Sequence, residues 1–272
     1  MNATDLSRLE LLVAEKGWSA YDGLLKSRTD TVEKNLRVFL GAMEPDEREL
    51  TFQLLEEYLI LKEYTRPSLD LLERICDIQR EKPIRIAPVK VRDAKRIKSG
   101  DALVYEMDAI RGMIDGPNLT FHDDPLDKSF WNNTDFKVVV DDFIGTGDQF
   151  LEMLGEISGQ GIEPKIDLLA TLVMQKTGKE RIEKAGHDVT SLEVRTKALE
   201  EIVSKHGGSK SEVEAIYLAI EDKTDCSPFD SMGFKGSQAT VTMKKTPDNT
   251  LPIFWNEGSK KDWPAPFPRK PN

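Results

Sequence analysis

The sequence predicts an α/β protein: a mostly parallel sheet flanked by helices, preceded by an all-helical extension. Three observations carry this. Phe136–Asp142 and Ile166–Met174 are apolar runs of strand length, the composition of strands buried on both faces. Helical patterns alternate with the strand-like runs, as βα units require. Before them, apolar residues recur at helical spacing through roughly the first 80 positions.

Leu6, Leu9, Leu12 and Val13 mark the first helix, and Val32, Leu36, Phe39 and Leu40 the second, with Asp30 or Thr31 as its cap. Pro45 opens a third over Asp46–Glu63, whose apolar face is Leu50, Leu54, Leu55, Tyr58, Leu59 and Leu61. Pro67 marks the next turn with Ser68 as a possible cap, and Leu69, Leu71, Leu72 and Ile75 form a last helix before Arg80–Pro83. The spacing therefore divides the chain into a helical extension over 1–80 and a sheet domain over 81–272. The extension reads either as a winged-helix-like, partner-binding bundle or as added packing.

In the second part, Ile84–Val91 and Ala102–Met107 read as strands and Asp115–Lys128 as a loop rich in Gly, Pro and Asp. Gln149–Ile157 is a helix, Lys179–Ala185 a shorter one, and His187–Glu193 a third strand. Lys210–Glu221 is a further helix and Gln238–Met243 a final strand. The tail from Trp263, WPAPFPRKPN, has too much proline for a helix or strand interior and is expected over the surface.

The 272 residues carry a net charge of −10, which argues against direct, broad contact with nucleic acid. One local exception is Lys90–Lys98, with five basic residues against one acid. No run of about 18 apolar residues is present, so no membrane span is expected. The N-terminus lacks the pattern of a secretory signal. Cys76 and Cys226 lie far apart, without metal-type spacing, and read as inert thiols of a cytoplasmic protein. His122-Asp123-Asp124 has no second ligand cluster and reads as a polar loop.

The chemistry concentrates in VVVDDFIGTGDQF, residues 138–150. Ligands of open parallel sheets bind beyond the carboxyl ends of the strands. Here the strand ends in Asp141 and Asp142, and adjacent buried carboxylates are costly unless a ligand, a metal or donor groups offset their repulsion. Gly145-Thr146-Gly147 follows, with glycines that allow close backbone approach to an anion. A helix starting near Asp148 adds its positive end. Acids first and amides second suit a sugar phosphate, with hydroxyls on carboxylates and phosphate on amides. A simple Asp/Gly turn without a ligand is the competing reading.

This segment resembles the phosphoribosyl-pyrophosphate loop of type I phosphoribosyltransferases: apolar strand, two acids, two mostly apolar residues, and a small Ser/Thr/Gly-rich turn. The resemblance implies that Asp141 and Asp142 hold the ribose 2′- and 3′-hydroxyls. Gly145, Thr146 and Gly147, with the amides of Asp148 and Gln149, would hold the 5′-phosphate. Two positions depart from the pattern: Gln149 stands where a second Ser or Thr is usual, and Asp148 adds a negative charge.

Together with EKGWSAYDGLL, EPDERELTFQLLEEYLILKEY, IRIAPVKVRDAKRIKSGD, FWNNTDFK and GFKGSQATVTMKKTPDNTLPIFW, the segment resembles a phosphoribosyltransferase-like family of bacterial conflict and defence gene neighbourhoods, including some retron systems. The resemblance implies ribosyl transfer or N-glycosidic cleavage on a nucleotide or base by an anti-phage effector. The ligand would be phosphoribosyl pyrophosphate or another nucleotide, with Mg2+ at Asp141 and Asp142. The alternative is an inactive nucleotide sensor or scaffold for a reverse transcriptase–nucleic-acid complex or another defence protein. Related enzymes are often dimers, so a homo-oligomer is also expected.

Four further positions bear on that site. The resemblance implies that Lys98, beside Ser99 and Gly100, neutralises leaving-group charge, a solvated basic turn being the competing reading, and Lys95 and Arg96 are weaker versions of the same idea. Phe234, in Gly233-Phe234-Lys235-Gly236, can stack on a base or serve packing. Phe130 and Trp131 are expected under the helical extension, while Pro252 and Trp255 close the core.

Overall fold

The computed structural model describes residues 1–23, 31–91, 99–131, 134–258 and 263–269. The chain forms two compact units, Met1–Lys62 with Thr196–Asn272, and Glu63–Arg195. Packing therefore divides the chain at other places than the boundary near residue 80, because the N-terminal helices share a core with the C-terminal third.

In chain order the elements begin with α1 (Ala3–Glu15), α2 (Val32–Gly41), α3 (Pro45–Glu56) and the short strand β1 (Leu59–Ile60). Thr31 caps α2 by accepting from the Lys34 amide. The expected helix to Glu63 stops early, since Leu59 and Leu61 donate their amides to the Thr240 and Thr242 carbonyls. Apolar residues continued past the helix because they line a strand.

The second unit contains α4 (Thr65–Ile78), β2 (Ile84–Pro88), α5 (Ser99–Ile110), β3 (Leu119–Phe121), α6 (Lys128–Trp131), β4 (Phe136–Ile144), α7 (Asp148–Gly159), β5 (Leu168–Gln175), α8 (Lys176–Lys184) and β6 (Val189–Arg195). Ser68 is buried inside α4 and is not its cap. Residues 102–107 belong to a helix and not a strand. Leu103, Val104, Met107 and Ile110 fall on one buried face while Tyr105 is exposed, so the 3.6-residue period prevails over β propensity. The expected 115–128 loop contains β3.

Five strands form one wholly parallel sheet in the order β3-β2-β4-β5-β6. The chain reverses its direction of travel across the sheet between β2 and β4, which are neighbours. That is the switch point at which open parallel sheets hold ligands. Val139, Ile144, Phe150, Met153, Leu169 and Ile182 help form one hydrophobic core. Phe130 is fully buried in this sheet core and does not lie under the helical extension.

The first unit resumes with α9 (Ala198–His206), absent from the sequence expectation, α10 (Lys210–Glu221) and β7 (Val241–Thr242). The expected final strand pairs in parallel with β1, outside the five-stranded sheet. The tail is a further correction: Trp263, Ala265 and Phe267 are buried in the first unit's core. Pro266, between Ala265 and Phe267, is buried with them, and the Ala265 amide donates to the Trp263 carbonyl at 2.9 Å. The Phe267 amide donates to the Phe254 carbonyl at 2.9 Å.

Candidate functional site

β4 runs through the middle of the sheet core and carries Asp141 and Asp142 at its carboxyl end, 4% and 2% exposed. Beside them β2 ends, with the Val89 amide donating to the Val140 carbonyl at 2.8 Å. Asp141 Oδ1 accepts from the Asp142 amide at 2.9 Å and from Ser99 Oγ at 3.3 Å. The start of α5 is closely fitted here: a Cβ on Gly100 would lie 3.4 Å from Asp141 Oδ1 and 3.3 Å from the Val140 carbonyl.

Asp142 has a partner that the sequence did not suggest. Tyr64, buried at the start of α4, donates its hydroxyl to Asp142 Oδ2 at 2.5 Å. Burial, then the charge of Asp142, holds the Asp141 carboxyl well above its ordinary value. Burial also raises Asp142, while hydrogen bonds from Tyr64 and Ser99 pull it back down. Two carboxyls that resist ionisation are thus held side by side at the switch point.

The turn after β4 is the expected one. Gly147 adopts φ +79° as the residue before α7. The turn rests on α8: a Cβ at Gly178 would come within 2.3 Å of the Gly145 carbonyl oxygen, and one at Gly147 within 3.0 Å of Ile182 Cδ1. Thr146 Oγ1 donates to Asp148 Oδ2 at 2.6 Å. Arg181 Nη1 donates to Asp148 Oδ1 at 2.5 Å and to the Thr146 carbonyl at 3.1 Å. Gln149, the other departure, donates Nε2 to the Val89 carbonyl at 3.3 Å, tying the first turn of α7 to the end of β2.

The structure therefore brings together Asp141, Asp142 and the Gly145–Gln149 turn with Ser99, which stands beside Lys98 in sequence, and adds Tyr64, Gly178 and Arg181. None of these three carries a local motif, and Arg181 lies 33 positions from Asp148. Lys95, Arg96 and Lys98 lie outside the described residues. Within the same basic stretch, Lys90 Nζ donates to Asp101 Oδ1 at 3.3 Å and the Asp123 carbonyl at 3.2 Å.

Phe234 belongs to the first unit, where it is half-buried. Its ring meets Phe229 at 5.4 Å, and Lys235 Nζ lies 5.3 Å from its centroid. The surrounding segment holds Asp225, Met232, Lys235 and Gln238 at positive φ, a concentration of strained backbone. The Glu221 carboxylate braces it by accepting from Tyr217, Ser231 and the Met232 amide.

Among the described residues, no group of three or more His, Cys, Asp or Glu side chains is arranged to hold a metal ion, His122-Asp123-Asp124 included. Burial raises both thiols, and that of Cys226 is pushed up to about 12. No helix among the described residues is long and apolar enough to cross a membrane.

Solved structures similar to the chain include orotate phosphoribosyltransferase from Aeropyrum pernix, at 17% identity and TM-score 0.32, covering 74% of this chain and 99% of that one. The Mycobacterium tuberculosis H37Rv enzyme in complex with 5-phospho-α-D-ribosyl 1-diphosphate matches at 15% identity and TM-score 0.30, over 71% and 91% of the two chains. The Francisella tularensis orotate phosphoribosyltransferase matches at 14% and 0.35, over 58% and 78%. The parallel strand order, rather than these scores, carries the fold. No curated protein matches the sequence. Residues 43–269 match the family model PRTase-CE, a span reaching into both compact units and including the whole acid-pair turn. The chain belongs to the phosphoribosyltransferase-like PRTase-CE family.

Proposed function

We propose that the acid-pair turn binds a ribose 5-phosphate moiety and that the chain makes or breaks a bond at ribose C1′, by phosphoribosyl transfer or N-glycosidic cleavage. The observation that carries this is the burial of Asp141 and Asp142 side by side at the β2/β4 switch point, directly before a glycine turn and a helix N-terminus. Such a pair raises the energy of the ligand-free fold, and ribose hydroxyls are suitable donors to offset it.

Departure of the C1′ substituent leaves an oxocarbenium-like centre, as in glycoside cleavage. The site then needs to hold the sugar, screen the departing charge and position an acceptor base or water. Asp141 and Asp142 orient the hydroxyls, Tyr64 fixes the Asp142 carboxylate, and the Gly145–Gln149 turn receives the phosphate. Lys98 is proposed, from its sequence position, as a cationic helper at the leaving group.

Two carboxylates suit Mg2+ in the manner of nucleotide sites, where one or two acids, water and ligand oxygens complete the shell. Bound there, the ion would neutralise developing negative charge.

The test is incubation of the purified protein with phosphoribosyl pyrophosphate, NAD and nucleotides, alongside Asp141→Asn and Asp142→Asn. Turnover lost in both variants is the expected result. Identical product profiles in all three proteins would sink the proposal.

A second reading is favoured by the carboxylate of Asp148, which already engages Thr146 and Arg181 in the turn. In it the chain senses a nucleotide without turnover and reports occupancy to a partner, such as a reverse transcriptase–nucleic-acid complex. Calorimetric binding of a nucleotide with no product formed is its signature. The anti-phage role, in either reading, rests on the family resemblance of the sequence; loss of phage protection in cells carrying Asp141→Asn is its test.

A further inference from the structure

The turn after β4 carries its own anion. Thr146 Oγ1 donates to one Asp148 carboxylate oxygen at 2.6 Å, and Arg181 Nη1 donates to the other at 2.5 Å. The same Nη1 reaches the Thr146 carbonyl at 3.1 Å, so the guanidinium sits against the turn itself. The side chains of Arg181 and Asp148 are 47% and 27% exposed, open enough to exchange partners.

We infer that Arg181 is a binding residue for the phosphate of a phosphorylated ligand, and that Asp148 is an internal anion which the phosphate displaces from Thr146 and Arg181. The inference rests on the ribose-phosphate reading and adds the group that selects the phosphate. Thr146 has one hydroxyl proton, so it donates either to Asp148 or to a ligand oxygen. A carboxylate beside a phosphate of charge about −1.5 to −2 is repelled, so the two anions exclude each other. An ion pair this exposed is held weakly, and a dianion competes for it successfully. The planar fork of a guanidinium grips two phosphate oxygens at once, which a lone carboxylate contact through Nη1 does not exploit.

α8 is built for this position. Gly178 and Ile182 pack against Gly145 and Gly147, leaving no room for a Cβ at Gly178. The helix is thereby held in a fixed place beside the turn, with Arg181 on its turn-facing side. Asp148 sets a threshold: the turn discriminates against weak monoanions and admits a ligand whose ribose is also held by Asp141 and Asp142.

The test is calorimetric titration of the full chain with phosphoribosyl pyrophosphate and with ribose 5-phosphate, at low and high salt. Asp148→Asn is expected to tighten binding about tenfold and Arg181→Gln to weaken it by about tenfold or more, the factors that charged hydrogen bonds carry. Both effects shrink at high salt. Thermal melts establish that each variant is folded. Binding seen in Asp148→Asn but below detection in the parent chain also supports the inference. Binding that needs Asp141 yet is unchanged by Asp148→Asn and Arg181→Gln overturns it and leaves the ribose-phosphate reading intact. Failure of every protein, Asp148→Asn included, to bind either ligand overturns both.

Discussion

Tyr64 donates its hydroxyl to Asp142 Oδ2 across 78 positions of sequence, joining the start of α4 to the acid pair at the end of β4. The ring is buried, so this bond forms where water cannot replace it. It lowers the Asp142 carboxyl against the upward pull of burial, which makes Tyr64 a positioning residue for the pair.

Tyr64→Phe keeps the ring and removes the donor. Leaving a buried carboxylate short of a partner costs about 1–3 kcal/mol. The expected result is a lower Tm together with weaker binding of ribose phosphates. Unchanged binding would remove Tyr64 from the site.

Asp141→Asn should stabilise the protein near neutral pH while abolishing ligand binding. Burial and the neighbouring Asp142 raise the folded-state value of Asp141. Its contribution is therefore fully present below the unfolded value of about 3.9 and is lost as pH rises through the raised folded value. The variant's Tm advantage should grow from acid toward pH 8, each kcal/mol recovered adding about 2–4 °C. A Tm difference that is flat across this range contradicts the assignment.

Gly178→Ala and Gly155→Ala form a matched pair. At Gly178 a Cβ would meet the Gly145 carbonyl oxygen at 2.3 Å, whereas at Gly155 nothing lies within 4 Å. Gly155→Ala in α7 is expected to be stabilising by about 0.5–1 kcal/mol. Gly178→Ala should cost about 1–3 kcal/mol and disturb phosphate binding, because α8 or the turn has to move. Denaturant titrations of the two variants give the comparison directly.

Phe267→Ala tests the burial of the tail. The Phe267 ring lies 4.7 Å from that of Tyr58 and 5.9 Å from that of Trp18, in an aromatic cluster of the first unit. Removal should cost about 3–5 kcal/mol. A loss under 1 kcal/mol would return the tail to the surface.

The strand–turn–helix over residues 136–159 was legible from sequence because every part of its signal is local. An apolar run, two acids, a glycine turn and a helical period follow one another along the chain, and backbone sterics turn that order into β4, the turn and α7. The parallel sheet followed from the same logic, since only strands covered on both faces read as wholly apolar. Tertiary structure decided the rest. Residues 102–107 are apolar enough for either element, and packing on one face made them helix. Leu59–Ile60 became strand because β7 offered hydrogen-bonding groups, and the proline-rich tail became core because Trp263 and Phe267 found the aromatic cluster. At the candidate site, sequence named the acid pair and its turn but not the side chains that contact them from elsewhere in the chain. Tyr64, Gly178 and Arg181 are brought there by how helices pack on the sheet, and no neighbour in sequence records such a distance.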